Sequence, residues 1–258
     1  FPRRPSISGD SVKRNSPLPA RARSRSPGAK PALVTWRPGS EGEMNIAYNM
    51  DCMIAMKKIE DKCFDLAVVD PPYGIGMDGG TVGYKGANNF VKKGWDKSPP
   101  PPEYFLELFR VSKNQIIFGG NYFNLPPTRC FVIWDKGAGF RGRSYAEAEL
   151  AWTSFDRNTR IFTRDPLCNG DYKGKIHPTQ KPIALYSWIF SKFARPGDKI
   201  LDTHLGSGSS RIAAYEAELD FVGFEIDMEY FQEQEKRFDT HISQLSIFAG
   251  GGTLDLCY

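Results

Sequence analysis

Phe64-Asp65-Leu66-Ala67-Val68-Val69-Asp70-Pro71-Pro72-Tyr73 is the stretch on which the reading of this chain turns. Residues 64–69 form a short apolar run, β-branched at its end, which is the pattern of a buried central strand. Two prolines then fix φ and remove backbone donors, so they stop the strand and stiffen the turn. The turn presents a carboxylate from Asp70, a carbonyl from Pro71 and a ring from Tyr73 at the carboxyl end of a sheet. That edge is where open α/β sheets place their ligands. A planar base with an exocyclic amino group fits the set: Asp70 and the Pro71 carbonyl accept its hydrogens, and Tyr73 stacks on its face. The plainer alternative is a strand-ending turn with a solvated Asp, and these residues alone leave both open.

The chain has 258 residues, enough for one large α/β domain or two small ones. Its formal charge is +4, but residues 1–43 carry nine Lys/Arg against three Asp/Glu, so the remainder carries −2. Nucleic-acid contact by the folded part must therefore come from local patches, not from the global field. The five cysteines (Cys52, Cys63, Cys130, Cys168, Cys257) lack CxxC spacing and paired histidines, so they read as reduced thiols, and no metal site is expected. No apolar run spans a bilayer and no signal-peptide core is visible. The expectation is a soluble, cytoplasmic protein without a membrane partner, either monomer or homodimer.

Residues 1–43 are rich in Pro, Ser and Arg and are expected to be disordered. They are either a basic arm on nucleic acid or an upstream artefact. The abrupt onset of regular pattern at Met44 favours the artefact. The expected domain runs over 44–241, followed by a tail over 242–258. Strands are expected over 45–48, 64–69, 115–118, 130–134, 149–154, 199–202 and 221–225. Helices are expected over 53–59, 103–111, 179–193, 209–218 and 228–241, while 74–98 and 155–176 read as long loops without period. Alternating strands and helices predict an α/β fold with a doubly wound, mostly parallel sheet.

The second constellation is Ile200-Leu201-Asp202-Thr203-His204-Leu205-Gly206-Ser207-Gly208-Ser209-Ser210. A buried strand enters a Gly-Ser-Gly turn that opens a helix, where free amides and absent side chains let a ligand approach closely. The next strand ends in Gly223-Phe224-Glu225-Ile226-Asp227, and an acid there suits the paired hydroxyls of a ribose. A dinucleotide fingerprint would need a third glycine where Arg211 stands.

Residues 44 to about 240 resemble the amino-methyltransferases of DNA, in the group whose catalytic motif precedes its cofactor motif. Asp70-Pro71-Pro72-Tyr73 matches the catalytic signature. Asp202–Ser209 matches the cofactor turn Asp-Pro-Phe-x-Gly-Ser-Gly-Thr, with Thr203, His204 and Ser209 as departures. His177-Pro178-Thr179-Gln180-Lys181-Pro182 resembles the family's cofactor-flanking segment, and Glu225 its ribose acid. Gly119-Gly120-Asn121-Tyr122-Phe123 and Trp134-Asp135-Lys136 recur in phage-type members.

The resemblance implies a Rossmann-like sheet with circularly permuted motif order and S-adenosylmethionine as methyl donor. It implies cofactor contacts from Asp51, Cys52, Asp70, Lys181, Asp202, His204, Gly206, Ser207, Gly208, Ser209, Glu225 and Ile226. Lys181 is the weaker candidate among these, since it also reads as a solvated helix start or a packing stem. His204 stands where the family has a Phe lining the cofactor pocket, and it has no companion ligands for a metal. Methylation at ring carbon would need a cysteine after proline, which this chain lacks. Asp at position 70 leans to adenine N6 and Ser would lean to cytosine N4. RNA is a further substrate class. A protein-glutamine methyltransferase would favour Asn, and a non-catalytic binder would show altered catalytic residues. The setting implied is a bacterial or phage-infected cell, with restriction-modification as one role.

DNA contacts are expected from the basic loops, namely Lys85, Lys92, Lys93 with Trp95, Arg141, Arg143, Arg157 and Lys173, with Arg160, Arg164 and Lys175 nearby. Each alone reads equally as a solvated face. Gln244-Leu245-Ser246-Ile247-Phe248 resembles the short motif that docks bacterial replication proteins on the sliding clamp. The alternative, ranked ahead, is that these residues pack back on the domain.

Overall fold

The computed structural model describes residues 45–80 and 90–250, except for the side chains of 246–250. The basic arm, Lys85 and the end of the expected tail lie outside the described residues. Its strands are β1 (Asn45–Asn49), β2 (Phe64–Val69), β3 (Ser112–Phe118), β4 (Phe131–Asp135), β5 (Ala148–Thr153), β6 (Arg160–Thr163), β7 (Lys199–Asp202) and β8 (Asp220–Glu225). Its helices are α1 (Cys52–Met56), α2 (Pro102–Val111), α3 (Ile183–Phe193), α4 (Ser209–Glu216) and α5 (Met228–Gly250). The strands form one sheet in the order β1-β8-β7-β2-β3-β5-β4-β6. From β1 to β3 every pairing is parallel. β5 runs antiparallel to both β3 and β4, so it alone opposes the direction of the others.

The expectation of a doubly wound, mostly parallel α/β sheet holds, and the alternation within β2 shows why. Leu66 and Val68 enter one core with Ile116, Phe118, Leu185, Ile189 and Ile200, beneath α3 and α4. Ala67 and Val69 enter the other with Met56, Tyr104, Leu108 and Val222, beneath α1 and α2. A strand buried on both faces needs a continuous apolar run, which residues 66–69 supply. The helices match: Tyr104, Phe105, Leu108 and Val111 of α2, and Leu185, Tyr186, Ile189, Phe190 and Phe193 of α3, fall on one face at helical spacing.

Three expectations need correction. The helix expected from residue 179 starts at Ile183, because Pro182 is extended and proline excludes its predecessor from the helical region. Lys181 therefore lies in extended chain and not on a helix surface. The span 155–176 contains β6, a four-residue, largely exposed edge strand too short to show a period. Residues 242–250, expected as tail, are the last turns of α5, so Gln244–Phe248 belongs to a helix and not to a free segment. Leu245 is exposed there. Among the described residues no helix is long and apolar enough to cross a membrane.

α1 and α2 are tied by Arg110. Its guanidinium donates to the carbonyls of Met56 (2.6 Å) and Ile59 (2.8 Å), and to Asp61 and Glu107. Met56 ends α1 and Ile59 lies just beyond it, and the Met56 carbonyl also accepts from the Ile59 amide at 3.0 Å. Arg110→Ala is expected to lower unfolding stability by about 1.5–3 kcal/mol, since its charge-assisted bonds are lost and the Ile59 carbonyl loses this donor. Urea titration reads the loss, and Arg110→Lys should recover only part of it.

Candidate active site

The turns after β2 and β7 leave neighbouring strands at one edge, because Leu66 pairs with Ile200 and Ala67 with Leu201. Asp70 and the Asp202–Ser209 turn, more than a hundred residues apart in sequence, are thereby brought together. The loop that follows Asp70 is held by a buried carboxylate, Asp96, which accepts from the amides of Gly74 and Met77, each at 2.7 Å. Gly119 sits against the Tyr73 ring with φ +70, so a side chain there would both strain the backbone and push that ring aside.

Asp70 is engaged at both oxygens. The Tyr73 hydroxyl donates to Oδ1 at 2.6 Å, and the Lys181 ammonium donates to Oδ2 at 2.5 Å. The Tyr73 ring lies parallel to Tyr122, with centroids 5.0 Å apart, and edge-on to Phe123. Lys181 is buried, contrary to the solvated alternative, and its ammonium also meets Glu149 Oε2 at 3.1 Å. Glu149 in turn accepts from buried Lys136 at 2.7 Å. Burial pushes the Asp70 carboxyl above its ordinary value, and Lys181 opposes that push. Burial pushes Glu149 the same way, but Lys181 and Lys136 outweigh it and hold the carboxyl down to about 2. The Lys181 ammonium, disfavoured by burial, is raised by Asp70 and Glu149. Sequence reasoning missed Lys136 and Glu149. The signal was a lone acid in an otherwise apolar strand, Ala148-Glu149-Leu150-Ala151-Trp152-Thr153.

The second half of the site is braced from within. Asp202 accepts from the His204 amide (3.0 Å) and the Ser210 hydroxyl (2.6 Å), so its carboxylate closes the turn; burial pushes it up to about 7. Glu225 accepts the amides of Gly206 (2.8 Å) and Asp227 (2.9 Å), and burial raises it. Gly206 and Gly208 have φ +51 and +72, and Gly208 opens α4. Ser207 and Ser209 hydroxyls are 3.2 Å apart, and Ser209 donates to the Lys181 carbonyl at 2.7 Å. Lys181 thus touches the cofactor-type turn with its backbone and Asp70 with its side chain. Asp51 caps α1 by accepting from the Met53 amide, and Cys52 is buried with its thiol pushed up to about 12, chiefly by burial. Ile226 is exposed. Tyr104 bonds Thr203 at 2.6 Å, and its ring meets His204 edge-on.

The basic residues divide. Lys93 pairs with Asp227 and Glu229, each at 2.7 Å, so it clamps the chain instead of presenting charge. Trp95 stacks on His177 and not beside Tyr73. Arg141 pairs with Asp135 and Glu147, and Arg157 donates to the Lys192 carbonyl and lies over Phe155. Arg164 pairs with Asp171, and Lys175 donates to the Pro178 carbonyl. Lys92 is exposed, 3.9 Å from Asp78, while Arg143, Arg160 and Lys173 are exposed. Nearby carboxylates, invisible as neighbours in sequence, account for the reassignment of Lys93 and Arg141.

Residues 133–236 match the family model described as DNA methylase. That span holds Lys136, Glu149, Lys181, the 202–209 turn and Glu225, while Asp70 precedes it. The type II methyltransferase M2.MboI of Moraxella bovis is 27% identical over 146 residues, covering 56% of this chain and 47% of that protein. The chain therefore spans about half the length of that relative. The type II methyltransferase M.HpaI of Haemophilus parainfluenzae is 23% identical over 73% of this chain and 72% of its own length. The solved M1.HpyAVI–SAM complex is similar with TM-score 0.49 and 21% identity, over 74% of this chain and 98% of that one.

Two histidines beside the site titrate low. His177 is held down to about 3 by burial and by Lys175 and Lys181, and His204 down to about 4 by burial. The unfolded chain takes up these protons near pH 6.5 and the folded chain refuses them, so their stability contribution is present above that pH and is lost as pH falls toward 4. His204→Phe should remove up to about 1.4 kcal/mol per pH unit of that slope between pH 6.5 and 4. Denaturant titrations across this range measure the difference.

Proposed function

We propose that this chain is a member of the N6/N4 family of DNA methylases, and an S-adenosylmethionine-dependent enzyme that methylates the exocyclic amino group of adenine in DNA. The observation that carries the reading is the Asp70-Pro71-Pro72-Tyr73 turn, with its half-buried carboxylate at the same sheet edge as the Asp202–Ser209 turn. Asp at the first catalytic position favours adenine N6 over cytosine N4, by family resemblance.

The residues present fit the cofactor. Glu225 spends one lone pair of each oxygen on amides, leaving others for hydroxyl donors. Asp51 engages Oδ1 only, among the described residues, and Gly206 and Gly208 bring no side chain of their own to the turn. Bound there, S-adenosylmethionine supplies an electrophilic sulfonium methyl. The protein's own task is to make a delocalised amino nitrogen nucleophilic. Asp70 and the Pro71 carbonyl accept the amino hydrogens and favour a pyramidal nitrogen, which is positioning and electrostatics without a covalent intermediate. The face of Tyr73 opposite Tyr122 takes the base, offsetting part of the few kcal/mol needed to extrude it from a duplex. Arg143 and Lys173, in loops that follow β4 and β6 at this same edge, supply phosphate contacts.

Asp70→Ala should lower methyl transfer by about a thousandfold or more while changing cofactor affinity only a few-fold. Glu225→Ala should do the reverse, weakening cofactor binding first. Incubation with labelled cofactor and unmethylated DNA, then nucleoside mass spectrometry, reads the product, and equilibrium cofactor binding reads the second arm. Near-normal turnover by Asp70→Ala would overturn the assignment, and methylcytosine in place of methyladenine would correct the target.

A further inference from the structure

A buried carboxylate is useful as an acceptor for two amino hydrogens only while it is ionised. Protonated, one of its oxygens becomes a donor that opposes the incoming N–H. Asp70 lies in a place where burial favours the proton. The counterweight is a row of alternating charges: Asp70, Lys181 at 2.5 Å, Glu149 at 3.1 Å and Lys136 at 2.7 Å beyond it. The row joins four separate parts of the chain, and Lys181 is delivered to it by the extended backbone that Pro182 enforces.

We propose that Lys181 is a positioning residue for methyl transfer: its ammonium, braced by Glu149 and Lys136, keeps Asp70 an anionic acceptor and fixes the direction in which that carboxylate points. The inference rests on the reading of Asp70 given above and adds to it a residue that never touches the reacting atoms. Because the Lys181 carbonyl accepts from Ser209 at the start of α4, the same residue ties the orientation of Asp70 to the cofactor-type turn. A simple structural salt bridge would stabilise the fold without controlling the charge on Asp70, and the two roles separate in pH dependence.

The titratable and charged groups that face this pair are Tyr73 on the turn after β2, Lys136 after β4, and Glu149 on β5. Lys175 and His177 face it from the segment ahead of α3, Tyr186 from α3 and Asp202 from β7. Lys181→Met removes the cation adjacent to Asp70 while keeping most of the volume. Its kcat should fall about tenfold or more at neutral pH, and the acid limb of its kcat–pH profile should move up by about one unit or more. KM for DNA should change less than about threefold, and Lys181→Arg should recover part of the rate. A readout independent of turnover is the infrared C=O stretch of a protonated carboxyl. In difference spectra against the unaltered chain at neutral pH, where the contribution of Asp202 cancels, an added band should appear in Lys181→Met and be missing from the Lys181→Met/Asp70→Asn double variant.

If Lys181→Met does not fold, Lys181→Gln, which keeps a donor without the charge, should show the same band and the same shifted limb. A loss of rate with an unmoved acid limb and no carboxyl band beyond that of the unaltered chain would overturn the proposal. The band appearing in a protein whose unaltered form methylates no DNA would overturn the proposed reaction and still support control of the charge on Asp70 by Lys181.

Discussion

The side-by-side pairing of β2 and β7 is the constraint on which the site depends. Two residue pairs, Leu66 with Ile200 and Ala67 with Leu201, set the register. Slipping it by one residue would turn Val68 and Val69 to the wrong cores and carry Asp70 away from the Asp202 turn. Burial on both faces makes such a slip costly, so the hydrophobic pattern of a six-residue strand also fixes the chemistry at its end. The prolines then prevent the strand from running on, and Asp96 anchors the loop beyond them.

The electrostatics at that edge work against folding as well as for the site. Four charged side chains withdrawn from water cost several kcal/mol each before pairing, and pairing returns that only when every partner is present. Alternation of sign along Asp70, Lys181, Glu149 and Lys136 meets the requirement. Replacing the row by apolar groups of equal volume would probe stability but would abolish the acceptor. The arrangement is therefore better understood as a cost borne by the fold for a carboxylate that stays anionic out of water.

Much of this is legible in the sequence, and the failures share a cause. The bounds of β2 and β7 come from apolar runs closed by a polar turn, and the two turns they lead into stand out as candidate sites. Lys181 ranks as the weaker cofactor candidate because a lysine there also reads as a solvated helix start or a packing stem, although Pro182 already excludes it from the helix. Glu149 reaches Lys181 because β5 runs against its neighbours, and its first residues therefore lie at the edge where the other strands end. No local pattern encodes strand direction. The acids that pair with Lys93 lie more than a hundred residues away along the chain and those that pair with Arg141 lie six residues away, so neither set shows as an adjacent charge. β6 escapes notice because four largely exposed edge residues carry no period.

The strand order has a consequence for assembly of the sheet. β1 and β2 are consecutive in the chain, yet β8 and β7 lie between them, and among the described strands these two are the last in sequence. Without residues 199–225 the sheet would hold a gap two strands wide, about 10 Å, with unpaired edges on both sides. The early strands therefore cannot complete the sheet by pairing with one another, and its centre closes only when those residues are in place.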